Sequence, residues 1–228
     1  MEHPEIDFAT VLASAVHDMK NSLCMVLQSM DALREELQTT SSSASDELSR
    51  IHYEASRLNS NLLQLLALYR IEKNQLPLHQ DEYPFADLLD ELVIKNEMYS
   101  SQRHIAVEVQ CDADLCWFFD DDLISSLLND MLINAMRYST HKILLKAFVE
   151  DDWLVVQIHD DGQGYPAEML EQAMESTDSF HLSAGRTGLG LFFAKLIAEA
   201  HRNHDRCGRI EMQNHSEYGG ALFSLYLP

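Results

Sequence analysis

Two short runs in this chain gather the residue types that hold a phosphate and a base. One is Asp160-Asp161-Gly162-Gln163-Gly164, and the other is Gly185-Arg186-Thr187-Gly188-Leu189-Gly190-Leu191. All eight glycines lie beyond position 161, and five of them fall in these two runs. Glycine lets a backbone take positive φ or come close to a ligand, and the exposed row of N–H groups can then cradle phosphate. Either run alone is a weak signal. Their order, behind one helix bearing Asn134 and another bearing His17, implies a nucleotide site.

The N-terminal run His17-Asp18-Met19-Lys20-Asn21-Ser22-Leu23 suits a different chemistry. It puts a nucleophilic imidazole next to a carboxylate, with an amide one helical turn on, so that His17 and Asn21 share a face. A carboxylate beside an imidazole can orient the ring and take its proton, which makes the distal nitrogen a better attacker.

Helices must position these groups. Neither proline nor glycine interrupts the chain between Pro4 and Pro77. Leu12, Val16, Met19, Leu23, Val26, Met30, Leu33 and Leu37 follow one another in alternating steps of four and three, the seam of a long bundle helix. Residues 39–45 break the pattern as a turn. Leu48, Ile51, Ala55, Leu58, Leu62, Leu65 and Tyr69 then form a second seam. Such a hairpin leaves apolar surface uncovered, and pairing two copies as a four-helix bundle is the economical remedy.

Beyond residue 75 the periodicity changes, which divides the chain into a helical hairpin over 1–75 and a second domain over 76–228. Pro77 and Pro84 punctuate a linker. Helices are predicted over 85–99, 121–138 and 189–200, and strands over 105–110, 143–149, 153–159, 209–212 and 221–227. Helices on one face of a mixed sheet make an α+β sandwich.

Composition narrows the partners. The formal charge is −21, which repels nucleic-acid phosphates and anionic lipid, so neither is expected as a partner. No segment approaches the roughly 18 uninterrupted apolar residues of a membrane span, and Met1-Glu2-His3-Pro4-Glu5 lacks the shape of a signal peptide. Cys24, Cys111, Cys116 and Cys207 show no metal-ligand spacing and read as reduced thiols, mostly in the core. A cytoplasmic protein is expected.

Taken in order, Asn134 within Asn129-Asp130-Met131-Leu132-Ile133-Asn134-Ala135-Met136-Arg137-Tyr138, the Asp160 run and the Gly188 run resemble the N, G1 and G2 boxes of the GHKL ATPase fold. The preceding His17 hairpin resembles the dimerisation and phosphotransfer domain of bacterial two-component sensor histidine kinases. The resemblance covers the chain from about residue 8 to Pro228. It implies a cofactor pair of ATP and Mg²⁺. Asn134 would be the metal ligand, and Asp160 would accept from the adenine amino group. Gly162 and Gly164 would pass beneath the purine. Gly188, Leu189 and Gly190 would place N–H groups on phosphate, opening a helix at Leu191. Arg137 and Tyr138 would flank the phosphates and the base. Residues between Tyr165 and Thr187 would form a lid over ATP, anchored by Phe180.

The resemblance further implies that His17 is phosphorylated from ATP, assisted by Asp18, and passes the group to an aspartate of a response-regulator receiver domain. Asn21 would position water for the reverse, phosphatase reaction. A separate sensor protein is a possible further partner beside the homodimer. Three residues depart from the family pattern: Asp130 stands where a second Asn is frequent, Arg186 where a glycine is common, and Ser22 where proline is usual. A regulator phosphatase and an ATP-independent phosphotransfer scaffold remain the alternatives, with a GHKL ATPase acting on another target behind them.

The seam yields the first prediction. Leu23→Asp buries a charge in the bundle at a cost of several kcal/mol, so sedimentation should find wild-type dimers and a weakened or monomeric variant. A monomeric wild type would reject the four-helix bundle.

Overall fold

The structure is a computed structural model that describes residues 78–174 and 188–228, together with six positions nearer the N-terminus. By its internal contacts the chain separates into two units, Met1–Pro77 and Leu78–Pro228. In the first unit the described positions Leu23, Val26, Leu27, Met30, Ile51 and Ala55 are all helical. The rest of the expected hairpin, with His17, Asp18, Asn21 and the turn at 39–45, lies outside the described residues.

The second unit opens with strand β1 (Asp81–Pro84) and helix α1 (Phe85–Gln102), followed by β2 (Ala106–Cys111) and β3 (Cys116–Phe119). Helix α2 (Asp121–Tyr138) leads into the hairpin β4 (Lys142–Glu150) and β5 (Trp153–Asp160). Helices α3 (Ala167–Met174) and α4 (Gly188–Ala200) follow. The chain closes with two-residue strands β6 (Arg202–Asn203) and β7 (Arg206–Cys207), then β8 (Arg209–Asn214) and β9 (Ala221–Leu227). Five strands make the main sheet in the order β2-β4-β5-β9-β8. β2 and β4 run parallel, and the remaining pairs are antiparallel. The α+β sandwich expected of the second domain is what forms.

The pleat explains the layering, because alternate residues of a strand face alternate sides. Val107, Ile143 and Asp160 are register partners, as are Val109, Leu145, Ile158 and Phe223. The apolar residues among these, with Ala147, Val156, Leu225 and Leu227, pack into one core with Leu88, Leu89, Leu92, Leu128, Leu132, Met136, Ala194 and Ala198 of the helices. Asp160 therefore sits on the helix-facing side of the sheet. On the opposite face Arg209 stacks between the rings of Trp153 (4.7 Å) and Tyr226 (3.9 Å), and Lys146 pairs with Glu217 at 2.9 Å.

Local chemistry sets the element ends. Asp120 caps α2, its Oδ1 accepting from the Leu123 N–H at 3.1 Å, and Asp121 and Asp122 in the first turn complement the helix dipole. Asp151 and Asp152 both take positive φ in the two-residue turn of the β4–β5 hairpin. That handedness matches the twist of the flanking strands.

Three expectations need correction. The segment read as a linker contains β1, which pairs with β3 from Asp81↔Phe119 to Pro84↔Cys116. Tyr83 and Phe85 each pack on the buried Phe119 ring at 5.4 Å. Four-residue strands ending at a proline carry no usable alternation, so pattern reading missed them. The segment expected to be lid contains α3. Of the cysteines read mostly as core, Cys116 and Cys207 are exposed and Cys111 is half-buried.

His201 ties the far ends of α2 and α4. It is 2% exposed, its Nδ1–H donates to the Ile197 carbonyl at 2.7 Å, and its Nε2 accepts from the Asp120 N–H at 3.1 Å. The carbonyl can only accept, which fixes the neutral tautomer. Burial lowers the His201 pKa, partly countered by the Ile197 carbonyl and Asp120. A group that protonates less readily folded than unfolded contributes stability above its unfolded value, about 6.5, and that stability is lost as pH falls below it. His201→Gln can make both bonds without titrating. Thermal unfolding between pH 7 and 5 should show a shallower loss of Tm for the variant than for wild type; equal slopes would refute this.

Candidate functional site

The first residue to place is Asp160, the last of β5. The residue is 4% exposed, and among the described residues no salt bridge to it is found. Two backbone N–H groups, those of Gly162 and Ala221, converge on Oδ1 at 2.8 Å each and leave Oδ2 outside both bonds. Its own carbonyl accepts from the Gly220 N–H at 3.1 Å and from the Ser216 hydroxyl. Burial raises the Asp160 pKa, opposed by the Ala221 and Gly162 N–H groups and reinforced by the Asp161 charge. A carboxylate held in this way has one oxygen fixed by the protein and a second available to a donor on a ligand.

Space around Asp160 is scarce. A Cβ at Gly162 would lie 2.4 Å from the Tyr138 carbonyl oxygen, and one at Gly220 would lie 2.3 Å from Asp160 Oδ1. Both positions demand glycine through close approach. Gly220 escaped the sequence reading because Gly219-Gly220 looked like a turn before the last strand. Its signal was the doubling: Gly219 supplies the positive φ of 90°, which leaves the second glycine to be explained by contact.

Helix α2 supplies the other group. Asn134 and Arg137 are half-buried and Tyr138 is 59% exposed. Asp130, Asn134 and Tyr138 follow at intervals of four, and none of them is among the buried residues of the helix. The end of this helix meets the Asp160 run, with Tyr138 against Gly162. The structure thus brings the C-terminal end of α2 to Asp160 and Gly162.

Gly188, Leu189 and Gly190 form the first turn of α4, which begins one residue before the predicted start at 189. The first N–H groups of any helix have no intrahelical acceptor and favour anions. A Cβ at Gly190 would meet nothing within 4 Å, so packing does not explain this glycine. Leu191, Phe193 and Ala194 bury the helix just behind it.

Gly164, with φ 82°, leads to Tyr165, whose backbone is gripped by Asn214. The Tyr165 N–H donates to Asn214 Oδ1 at 2.7 Å, and Asn214 Nδ2 donates to the Tyr165 carbonyl at 3.2 Å. Burial, then the Asp160 charge, raises the Tyr165 hydroxyl pKa far above its usual value. Asn214 was missed, since an Asn ending a strand reads as an ordinary turn residue. Gly185, Arg186, Thr187 and Phe180 lie outside the described residues.

Residues that could hold a metal are few. Among the described residues no group of three or more His, Cys, Asp or Glu could hold one. The half-buried Asn134 amide, with Asp130 one turn before it, fits a hard cation whose remaining ligands come from phosphate oxygens and water.

Residues 119–228 match the family described as histidine kinase-, DNA gyrase B-, and HSP90-like ATPase. The sensor protein SrrB of Staphylococcus aureus is 25% identical over 226 residues, which cover 95% of this chain and 37% of that protein. The chain therefore spans little more than a third of the length of this curated relative. Acinetobacter baumannii histidine kinase AdeS superposes with a TM-score of 0.61 at 20% identity, over 91% of this chain and 95% of that one. The full-length ShkA structure in complex with AMPPNP gives 0.64 at 17% identity, over 96% and 45%. The catalytic domain of histidine kinase ThkA gives 0.55 at 22%, over 66% and 95%.

The two glycines separate fold from ligand. Gly220→Ala should lower nucleotide affinity at least tenfold, about 1.4 kcal/mol, by pushing Asp160 aside. Gly190→Ala should leave Tm unchanged or raise it, since alanine is favoured in helices by up to about 1 kcal/mol, while still weakening binding of a fluorescent ATP analogue. Undiminished binding by Gly190→Ala would remove the phosphate from the start of α4.

Proposed function

We propose, from the match of residues 119–228 to the histidine kinase-, DNA gyrase B- and HSP90-like ATPase family, that this chain is a protein-histidine kinase. In this reading it phosphorylates its own His17 and passes the group to a response-regulator aspartate. The observation that carries it is the clasp on Asp160, a buried carboxylate with one oxygen fixed by two backbone donors and the other left for an amino group.

Each residue then has a task. Asp160 Oδ2 accepts from the adenine amino group, and Gly162 and Gly164 keep the backbone flat beneath the ring. Gly188, Leu189 and Gly190 direct free N–H groups at phosphate, with Arg137 alongside. Asn134 supplies the protein ligand to Mg²⁺, which neutralises phosphate charge when bound. An imidazole nitrogen of His17 attacks the γ-phosphorus, the bond from that phosphorus to the β,γ-bridging oxygen breaks, and ADP leaves. Asp18 orients the ring and takes its proton. The receiver aspartate then displaces the phosphoryl group from His17, and Asn21 aligns the water that hydrolyses the product. Val26 and Ile51, two seam residues 44% and 45% exposed in the single chain, support a homodimer.

γ-Labelled ATP with Mg²⁺ tests the proposal. Wild type should acquire an acid-labile, base-stable label that His17→Ala abolishes. Asn134→Ala should collapse labelling yet retain part of the nucleotide affinity, and Asp160→Ala should lose about 1–3 kcal/mol of that affinity. Equal labelling of His17→Ala would remove His17 from the reaction, and normal labelling of both other variants would move the ATP site elsewhere.

A further inference from the structure

The nucleotide reading needs two groups of residues at a fixed spacing. Asp160 and its glycines belong to the β5 end, whereas Asn134, Arg137 and Tyr138 belong to α2. Core packing joins helix to sheet, but apolar contacts are non-directional and define the axial position of a helix loosely. Directional bonds are needed where α2 turns into β4.

Only residues 139–141 separate α2 from β4. Ser139 still bonds back into the helix, its N–H donating to the Ala135 carbonyl at 2.8 Å. The next two N–H groups have left the helix, and one side chain takes both. Thr140 N–H donates to Asp161 Oδ1 at 2.7 Å, and His141 N–H donates to Oδ2 at 2.9 Å and to Oδ1 at 3.1 Å. The Thr140 hydroxyl donates to the Asp161 carbonyl at 3.4 Å. The Asp161 side chain is 18% exposed, and the His141 ring, 72% exposed, lies 3.9 Å away. Burial would raise the Asp161 pKa, but the N–H groups of His141, Thr140 and Lys142 outweigh it and hold the carboxyl below its usual range. Asp161 is thus an ionised brace between the exit of α2 and the residue next to Asp160.

We infer that Asp161 is a positioning residue that sets the distance between the base-binding carboxylate of Asp160 and the phosphate-side residues of α2. It touches neither ligand group itself. The inference rests on the nucleotide reading above and adds a residue to which no role has been attached. The close approach of Gly162 to the Tyr138 carbonyl acts in the same sense, because it permits the contact that Asp161 locks.

A ligand that engages one half of the site should be indifferent to the brace, and a ligand that spans both halves should not. Adenosine is held through Asp160 and has no phosphates to meet Asn134 and Arg137, whereas Mg²⁺-AMPPNP must meet Asp160 and Asn134 together. With the full chain, Asp161→Ala should weaken Mg²⁺-AMPPNP by about tenfold, the scale of one or two lost charge-assisted bonds. Adenosine affinity, followed by NMR titration, should change by less than about threefold. Asp161→Asn keeps one acceptor oxygen but loses the charge and the second acceptor, and should show the same selective loss at reduced size, about threefold. If Asp161→Ala does not fold, the Asn variant decides: a selective loss for AMPPNP supports the brace, and an unchanged ratio of the two affinities overturns it. Wild type that binds both ligands, with an Asp161→Ala variant weakened equally for both, overturns this inference alone. Wild type that binds neither overturns the nucleotide reading and the brace with it.

Discussion

Everything proposed for this chain depends on a buried carboxylate that no cation among the described residues neutralises. Desolvation opposes charge on Asp160, and oriented backbone dipoles are the main offset: the Ala221 and Gly162 N–H groups on one oxygen. One donor follows β5 directly and the other opens β9, 61 residues beyond Asp160, so the fold must be complete before the carboxylate is held. The arrangement stores polarity in a dry place. A donor on a ligand meets an acceptor already aimed, without reorganisation at the moment of binding.

The register of the sheet is what aims it. Asp160 pairs with Ile143, and Ile143 belongs to the apolar face under the helices. A slip of one residue would send Asp160 to the other side, among Lys146, Glu217 and Tyr218, where it would meet water. The tight turn at Asp151-Asp152, the β5–β9 pairing from Leu154↔Leu227 to His159↔Leu222, and the turn organised by Ser216 all hold that register. Tyr218 reaches from the last turn to Glu108 on β2 at 2.8 Å, so the outer face is stitched across the same strands.

Charge is handled by placement rather than by pairing. In a chain of formal charge −21, many acids near the site act as hydrogen-bond acceptors for backbone. Asp120 caps α2 and receives the His79 N–H at 3.0 Å, and Asp161 receives the N–H groups that leave the same helix. The two ends of α2 are therefore each fixed by a carboxylate. The helix that carries Asn134 is held at both termini, which suits a helix whose position, and not merely its presence, is used.

The sequence by itself determined most of the regular elements of the second unit. Spacing located α1, α2, the β4–β5 hairpin, α4 and β9 to within a few residues, because each repeats apolar side chains at a helical or strand period. Glycine clustering with an adjoining acid pointed to the neighbourhood of Asp160, Gly162, Gly188 and Gly190 for a related reason: close approach and positive φ restrict which residue is allowed. Tertiary structure alone decided the rest. β1 and β3 exist through each other and the Phe119 cluster, too short to show a pattern. Gly220, Asn214, Asp161 and His201 act on backbone groups far along the chain, and nothing local distinguishes them from turn or surface residues. Periodicity records which face of an element is buried; it does not record which N–H a distant carboxylate will find.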